Sequence, residues 1–172
     1  TAEGLIRFGG EAPIDQAFFD AIPSLRAFEV EGMPEVVAAL QLALPDRLRY
    51  PDSQRGPQQD PLPPAVKVSG LAELRALDVA TTNVTLQFQK QEDLAALGRF
   101  TKLRALQLEP DPEMPHEGFQ RAWSLAPLAE CKSLEAISIG YFGTMNSTEF
   151  SVLTSLPKLR SLTLVGLDKV VG

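Results

Sequence analysis

The chain has 172 residues, of which 44% are hydrophobic, and its 22 acidic and 16 basic residues give a formal charge of −6. A chain of this length can bury a substantial core within one domain. The acidic balance argues against nucleic-acid binding, because contacts to a phosphate backbone require clustered Lys and Arg. With one cysteine and no apolar run near the ~20 residues of a membrane span, we expect a soluble, cytoplasmic protein.

A six-residue pattern recurs along the chain. In chain order its clear copies are LRAFEV at 25–30, LRALDV at 74–79, LRALQL at 103–108, LEAISI at 134–139 and LRSLTL at 159–164. Positions 1, 4 and 6 are apolar in every copy. The two-residue spacing of positions 4 and 6 is typical of a strand with one buried face, so each copy predicts a strand.

Two weaker copies extend the series. EGLIRFG at 3–9 and PDRLRY at 45–50 fit positions 4 and 6 of the same pattern. Together the copies predict a single domain over residues 1–172 with about seven strand units.

The segment before each strand has a different period. Apolar residues stand three places before position 1, at Ile22, Leu71, Phe100, Cys131 and Leu156, and six places before it, at Phe19, Val68, Leu97, Leu128 and Leu153. A spacing of three with polar residues between predicts a short helix that buries one side. Polar residues stand near the expected helix starts, at Asp93, Ser124 and Glu149.

Two insertions interrupt the pattern. Residues 51–65 are rich in proline, which blocks helix and sheet hydrogen bonds, and predict a surface loop rather than a ligand for a proline-binding domain. Residues 109–118 predict a solvated acidic loop, since the potential metal ligands Asp111, Glu113, His116 and Glu117 have no recognised spacing.

Two single residues have simple interpretations. Cys131 shares its column with large apolar residues, which predicts a small buried side chain rather than a nucleophile. Trp123 stands off the apolar stripe that Leu125 and Leu128 define, so we expect it to be partly exposed.

The recurring L-x-x-L-x-L strand resembles the leucine-rich repeat family, in an irregular form without cysteine-rich caps that would suit a bacterial protein. The resemblance implies an α/β right-handed solenoid, or horseshoe, with a parallel sheet on the concave face and short helices on the convex face. The chain departs from the family at position 9, where Asn or Cys is replaced by Met33, Thr82, Asp111, Phe142 and Leu167.

No catalytic triad, phosphate loop, zinc-ligand pair or dinucleotide motif is present, so we expect neither an enzyme nor a cofactor. The resemblance implies a module that binds a protein or peptide through its concave face and adjoining loops. Position 3 is small in every copy. The charges at positions 5 and 7 predict a gradient from an acidic N-terminal half to a neutral C-terminal half, and the acidic half would attract a partner with a basic patch. The candidate binding residues are Glu29, Glu31, Asp78, Gln107, Glu109, Ser138, Tyr141 and Thr163.

A second interpretation is a structural or assembly role, in which the chain is a protomer or a fragment of a longer repeat array. An uncapped repeat exposes both its core and a strand edge, so open ends favour self-association. A monomer at all concentrations would contradict this interpretation.

Overall fold

A computed structural model of the chain describes residues 16–32, 45, 64–113, 123–140, 144–167 and 169–171. Its helices are α1 (Gln16–Asp20), α2 (Gly70–Ala76), α3 (Gln91–Ala95) and α4 (Ser147–Thr154), with 3₁₀ helices at Ala96–Arg99 and Ala126–Glu130. Its strands are β1 (Ala27–Gly32), β2 (Val66–Ser69), β3 (Asn83–Phe88), β4 (Ala105–Pro110), β5 (Ala136–Gly140), β6 (Thr144–Asn146), β7 (Ser161–Leu167) and β8 (Lys169–Val171).

Six of the strands form one parallel sheet in the order β1-β7-β5-β4-β3-β2, and β6 and β8 form a separate parallel pair. In β1, β7, β5 and β4, which are copies of the six-residue pattern, equivalent positions 3 to 6 lie side by side. We number the residues of β3 and β2 by their Cα partners in this arrangement. The row at position 4 runs Phe28, Leu162, Ile137, Leu106, Val84 and Val66. The fold is therefore α/β, with a parallel sheet and short helices.

Four of the five clear copies form the predicted strands. The strands of LRAFEV, LRALQL, LEAISI and LRSLTL each begin at position 3 of the pattern. The residues at positions 4 and 6 of β4, β5 and β7 are buried, as Leu106, Leu108, Ile137 and Ile139 illustrate, and in β1 the side chain of Phe28 at position 4 packs against the core. The two-residue period thus identifies the buried face correctly in these copies.

The predicted helical segments are also confirmed before these four strands. The buried pairs are Phe19 and Ile22, Leu97 and Phe100, Leu128 and Cys131, and Leu153 and Leu156. In each unit the N–H at position 1 donates to the carbonyl three places earlier, as Leu103 does to Phe100 at 3.1 Å. This hydrogen bond closes a turn at the end of the helical segment, and the next strand begins two residues later.

The prediction of a strand at LRALDV was wrong. Leu74 lies in α2 and is buried, whereas Val79 is 48% exposed. The strand of this unit is β3, NVTLQF, which begins seven residues after α2 ends. The spacing of three between Leu71, Leu74 and Leu77, with helix-forming residues between them, suits a helix. The β-branched residues of β3 suit a strand.

The prediction for Val68 failed for the same reason, because it assumed that the strand of this unit is LRALDV. We predicted a helical residue, but Val68 lies in β2, where it pairs with Leu86 and is buried. Gly70 follows with a φ of +72°, a left-handed conformation that glycine adopts without strain. This turn lets α2 begin immediately after β2.

Trp123 is buried, contrary to the partial exposure that we predicted; its side chain is 6% exposed. Its ring meets Phe88 edge to face, with 5.0 Å between the ring centroids. The prediction failed because the partner comes from β3, which the repeat did not place correctly. The predicted burial of Cys131 is confirmed, since its side chain is fully buried.

Several predictions fall on residues outside those that the structure describes. They include the weak strand at 3–9, that at 45–50 apart from Pro45, and the proline-rich segment apart from Pro64 and Ala65. In the described part of the chain, no helix has the length and apolar character needed to cross a membrane.

Candidate interaction surface

The large sheet has a polar face opposite the core. We define this polar face as the side chains at positions 3 and 5 of the six strands. The row at position 5 runs Glu29, Thr163, Ser138, Gln107, Thr85 and Lys67 across the sheet. Side chains of this row can donate and accept hydrogen bonds, and their strands are neighbours at about 4.8 Å.

A row of small side chains runs beside it at position 3. From β1 to β4 it consists of Ala27, Ser161, Ala136 and Ala105, and Asn83 follows in β3. Methyl and hydroxymethyl groups rise little above a sheet. The longer side chains at position 5, of which Glu29, Gln107 and Lys67 are exposed, therefore stand beside a shallow floor.

Four of the eight candidate binding residues meet in one row. Glu29 lies beside Thr163, Thr163 beside Ser138, and Ser138 beside Gln107. Glu29 and Gln107 are exposed, whereas Ser138 and Thr163 are half-buried. The spatial neighbours of Glu29 belong to the last units of the chain, an arrangement that the order of the repeats did not indicate.

Asp78 does not lie on the polar face, which corrects the prediction. It follows α2 in a turn, where its Oδ1 atom accepts a hydrogen bond from the N–H of Ala80 at 2.8 Å. The position that we predicted for Asp78 is taken by Thr85, which pairs with Gln107. The alternation of polar and apolar residues in NVTLQF is the sequence signal that could have identified this strand.

The predicted gradient from an acidic N-terminal half to a neutral C-terminal half is also wrong. Strand β1, which carries Glu29, is one edge of the sheet. Its neighbour is β7, so Glu29 lies beside the strands of the last units of the chain. At the opposite edge, position 5 is occupied by Lys67. The row therefore carries an acid at one edge and a base at the other.

Glu109 joins the polar face near the basic edge. Its Oε1 atom accepts a hydrogen bond from Nε2 of Gln107 at 2.7 Å. Its Oε2 atom lies 3.8 Å from Nζ of Lys67. Lys67 was missed because the repeat assigned the residues around it to a helix, although Val66 and Val68 on either side show the alternation of a strand.

The remaining two candidates are less well placed. Glu31 belongs to β1, where its Cα partner is Val165, just before an irregularity in the register. Tyr141 lies outside the described residues.

Arginine side chains border the sheet at position 2. Arg104 binds Glu135 through two hydrogen bonds, from Nε to Oε1 at 3.0 Å and from Nη2 to Oε2 at 3.1 Å. The pKa of Glu135 is lowered, first by this hydrogen bond and then by the positive charges of Arg104, Arg160 and Lys158, while partial burial opposes the shift. Arg75, which occupies position 2 of LRALDV, lies in α2 instead.

The beginning of the acidic loop is held by local hydrogen bonds. Asp111 accepts one from the N–H of Glu113 and one from Nε2 of Gln89, each at 2.8 Å. Both bonds lower the pKa of its carboxyl group, the backbone bond more strongly. Among the described residues, no group of three or more His, Cys, Asp or Glu side chains is placed to hold a metal ion.

An open cleft of about 470 Å³ lies between the starts of α2 and α3, and Lys90 and Asp93 contribute to its lining. Asp93 is buried and its Oδ2 atom accepts hydrogen bonds from the N–H groups of Gln89 and Lys90, at 2.8 and 3.0 Å. The carboxylate therefore holds the start of α3. Throughout the described residues, every buried polar side-chain atom has a hydrogen-bond partner, so we assign no ligand to this cleft.

Comparison of the chain with protein-family models, with curated proteins and with solved structures finds no match. The polar face must therefore be interpreted from its own chemistry.

Proposed function

We propose that this protein is an interaction module of the leucine-rich repeat type, a solenoid of strand and helix units that binds a protein or peptide across the polar face of its sheet. The observation that carries the proposal is the common register of β1, β7, β5 and β4 at position 5, which lines up Glu29, Thr163, Ser138 and Gln107 on neighbouring strands. The proposed role is binding and not catalysis.

The chemistry of the polar face supports an extended segment as the ligand. A peptide that crosses the strands rises about 3.3 Å per residue, so a segment of several residues passes over several strands that are about 4.8 Å apart and can meet a hydrogen-bonding side chain from each of them. The row of small residues at position 3 leaves room for its backbone. Specificity then depends on which side chains the peptide presents to Gln107, Ser138 and Thr163.

The charges favour a partner with a basic patch at the β1 edge. Glu29 is exposed there, and opposite charges at the rim of an interface accelerate association and make it sensitive to salt. At the other edge, Lys67 and Glu109 are already within 3.8 Å of each other. We therefore expect the basic residues of the partner to gather near Glu29 and not along the whole row.

The test is selection of ligands from a random peptide display library against the folded chain. We expect the selected peptides to be enriched in Lys or Arg and to bind more weakly as salt rises. Thr163→Arg places a long cation on the row, and should weaken these peptides about tenfold or more through steric exclusion and repulsion.

Thr101→Arg is the matched control, because Thr101 is exposed in the turn before β4. It should leave affinity unchanged. Peptides without basic residues, or equal affinities for the two variants, would contradict the proposed site. Circular dichroism must show that both variants remain folded.

A further inference from the structure

The constant register of the sheet makes it periodic. Its three pairings between copies of the pattern join position 4 to position 4 and position 5 to position 5, and β3 and β2 continue the sheet without a register shift. Among the described residues, β1 and β2 each have a neighbouring strand on one side only. A second copy shifted along the sheet would therefore bring its β2 beside β1 of the first copy, parallel and in the same register.

The two edges carry opposite charges at the position where they would meet. Position 5 is Glu29 on β1 and Lys67 on β2. The side chain of Lys67 is 60% exposed despite its contact with Glu109, and Glu29 is also exposed. Strands pair at about 4.8 Å, a separation that lets directly opposite acidic and basic side chains interact.

Position 4 adds an apolar contact. Val66 on β2 is 41% exposed, and in the described part of the chain it is, with Val79, one of two large hydrophobic residues that are open to solvent. Phe28 on β1 is half-buried, with its ring edge to face against Phe19 at 5.1 Å between centroids. Pairing of the edges would set these side chains next to each other and remove the exposed face of Val66 from water.

We propose that this protein associates head to tail with copies of itself, through pairing of the β2 edge of one copy with the β1 edge of the next. Val66 then lies opposite Phe28 and Lys67 lies opposite Glu29. The interface joins two different surfaces, so repetition produces either a closed ring or an open chain of copies.

The same charges discourage the wrong pairings. A charged residue on an edge strand usually prevents edge-to-edge association. Two β2 edges together would bring copies of Lys67 close to each other, and two β1 edges would do the same with Glu29. Only the unlike pair gains attraction, so each charge selects the edge of opposite charge. The proposal goes beyond peptide binding and depends only on the register and on the two edges.

Sedimentation velocity over a range of concentrations tests the proposal. The average mass of the natural chain should increase with concentration, and less so as salt rises. Glu29→Lys and Lys67→Glu should each weaken association about tenfold or more, because each one places like charges opposite each other. An equimolar mixture of the two variants should recover association, since each Lys edge then meets a Glu edge.

Glu92→Lys and Lys102→Glu are matched controls at exposed positions outside the sheet, and should associate like the natural chain. The double variant Glu29→Lys with Lys67→Glu should also associate, which guards against a loss caused by repulsion between the carboxylate introduced on β2 and Glu109 within one copy. A natural chain that stays monomeric at every concentration overturns the proposal. So does association that survives either single reversal, or a mixture that fails to recover it.

Discussion

LRALDV and LRALQL share their first four residues, yet the structure places one in a helix and the other in a strand. Leu74 to Ala76 complete α2, whereas Ala105 and Leu106 begin β4. At position 6 of the pattern, Val79 is largely exposed and Leu108 is fully buried. The comparison shows that the shared letters do not determine the secondary structure, because leucine, arginine and alanine all have high helix propensity in both places.

The flanking residues make the difference. LRALDV follows Gly70, whose left-handed turn starts a helix, and the N–H of Ser69 donates to Oε2 of Glu73 at 2.7 Å. NVTLQF follows shortly after it. This segment has a higher strand propensity than LRALDV and competes for the same place in the sheet. LRALQL is followed by a proline-rich acidic segment, whose prolines disfavour a competing strand. Each unit has one place in the sheet, and the segment with more β-branched and alternating residues takes it.

The largest effect is expected from a disulfide crosslink to Gln107, which can form from only one of the two segments that could supply the neighbouring strand. In the structure Thr85 and Gln107 are partners on neighbouring strands, whereas a strand at LRALDV would put Asp78 beside Gln107. Neighbouring strands are about 4.8 Å apart, within the Cα separations of about 4.4 to 6.8 Å that a disulfide spans. Thr85→Cys with Gln107→Cys should oxidise to an intrachain disulfide, detected by mass spectrometry of unreduced peptides.

Asp78→Cys with Gln107→Cys is the comparison, and should remain reduced under the same conditions. Cys131 should not interfere, because burial, aided by the charge of Glu130, raises the pKa of its thiol to about 11. A disulfide in the Asp78 variant and none in the Thr85 variant would restore the strand predicted from the repeat.

The next effect concerns stability at position 6 of the two copies. Leu108→Ala should lower the free energy of unfolding by about 2 to 5 kcal/mol, because it leaves a cavity in the core. Val79→Ala removes a side chain that is 48% exposed and should cost no more than about 0.5 kcal/mol. Urea denaturation of both variants measures the difference, and similar losses would mean that position 6 is buried in both copies.

The smallest effect is expected at the arginine of each copy. Arg104 makes a bidentate contact with Glu135, whereas the side chain of Arg75 is exposed. Arg104→Ala should therefore cost about 1 kcal/mol at neutral pH and low salt, and Arg75→Ala a smaller amount.

The contribution of Glu135 should depend on pH. Its pKa is lower in the folded chain than the ordinary value, first because of the hydrogen bond from Arg104. The stabilisation is therefore fully present above the ordinary glutamate pKa of about 4.3, and is lost as pH falls through the lower folded value. The difference in unfolding free energy between the natural chain and Glu135→Gln should shrink over that interval. A difference that does not change with pH would contradict the ion pair.

Part of the polar face could be predicted from the sequence. The two-residue period placed Glu29, Gln107, Ser138 and Thr163 away from the core, and all four stand in one row. Lys67 and Thr85 could not be assigned to the polar face, because the repeat pattern placed the strand of their unit at LRALDV. The pairing of Glu29 with Thr163 could not be predicted either, because no local pattern states which strand lies next to which.

The sequence by itself determined the periods of the elements: alternating residues for strands, spacings of three for helical segments, and the side of each that becomes buried. These follow from the geometry of the backbone and the cost of exposing apolar side chains. Only the tertiary structure decided between two segments that both had a suitable period, since a unit has a single place in the sheet. It also decided that β1 pairs with β7, because pairing joins residues far apart in sequence and depends on which edge is available.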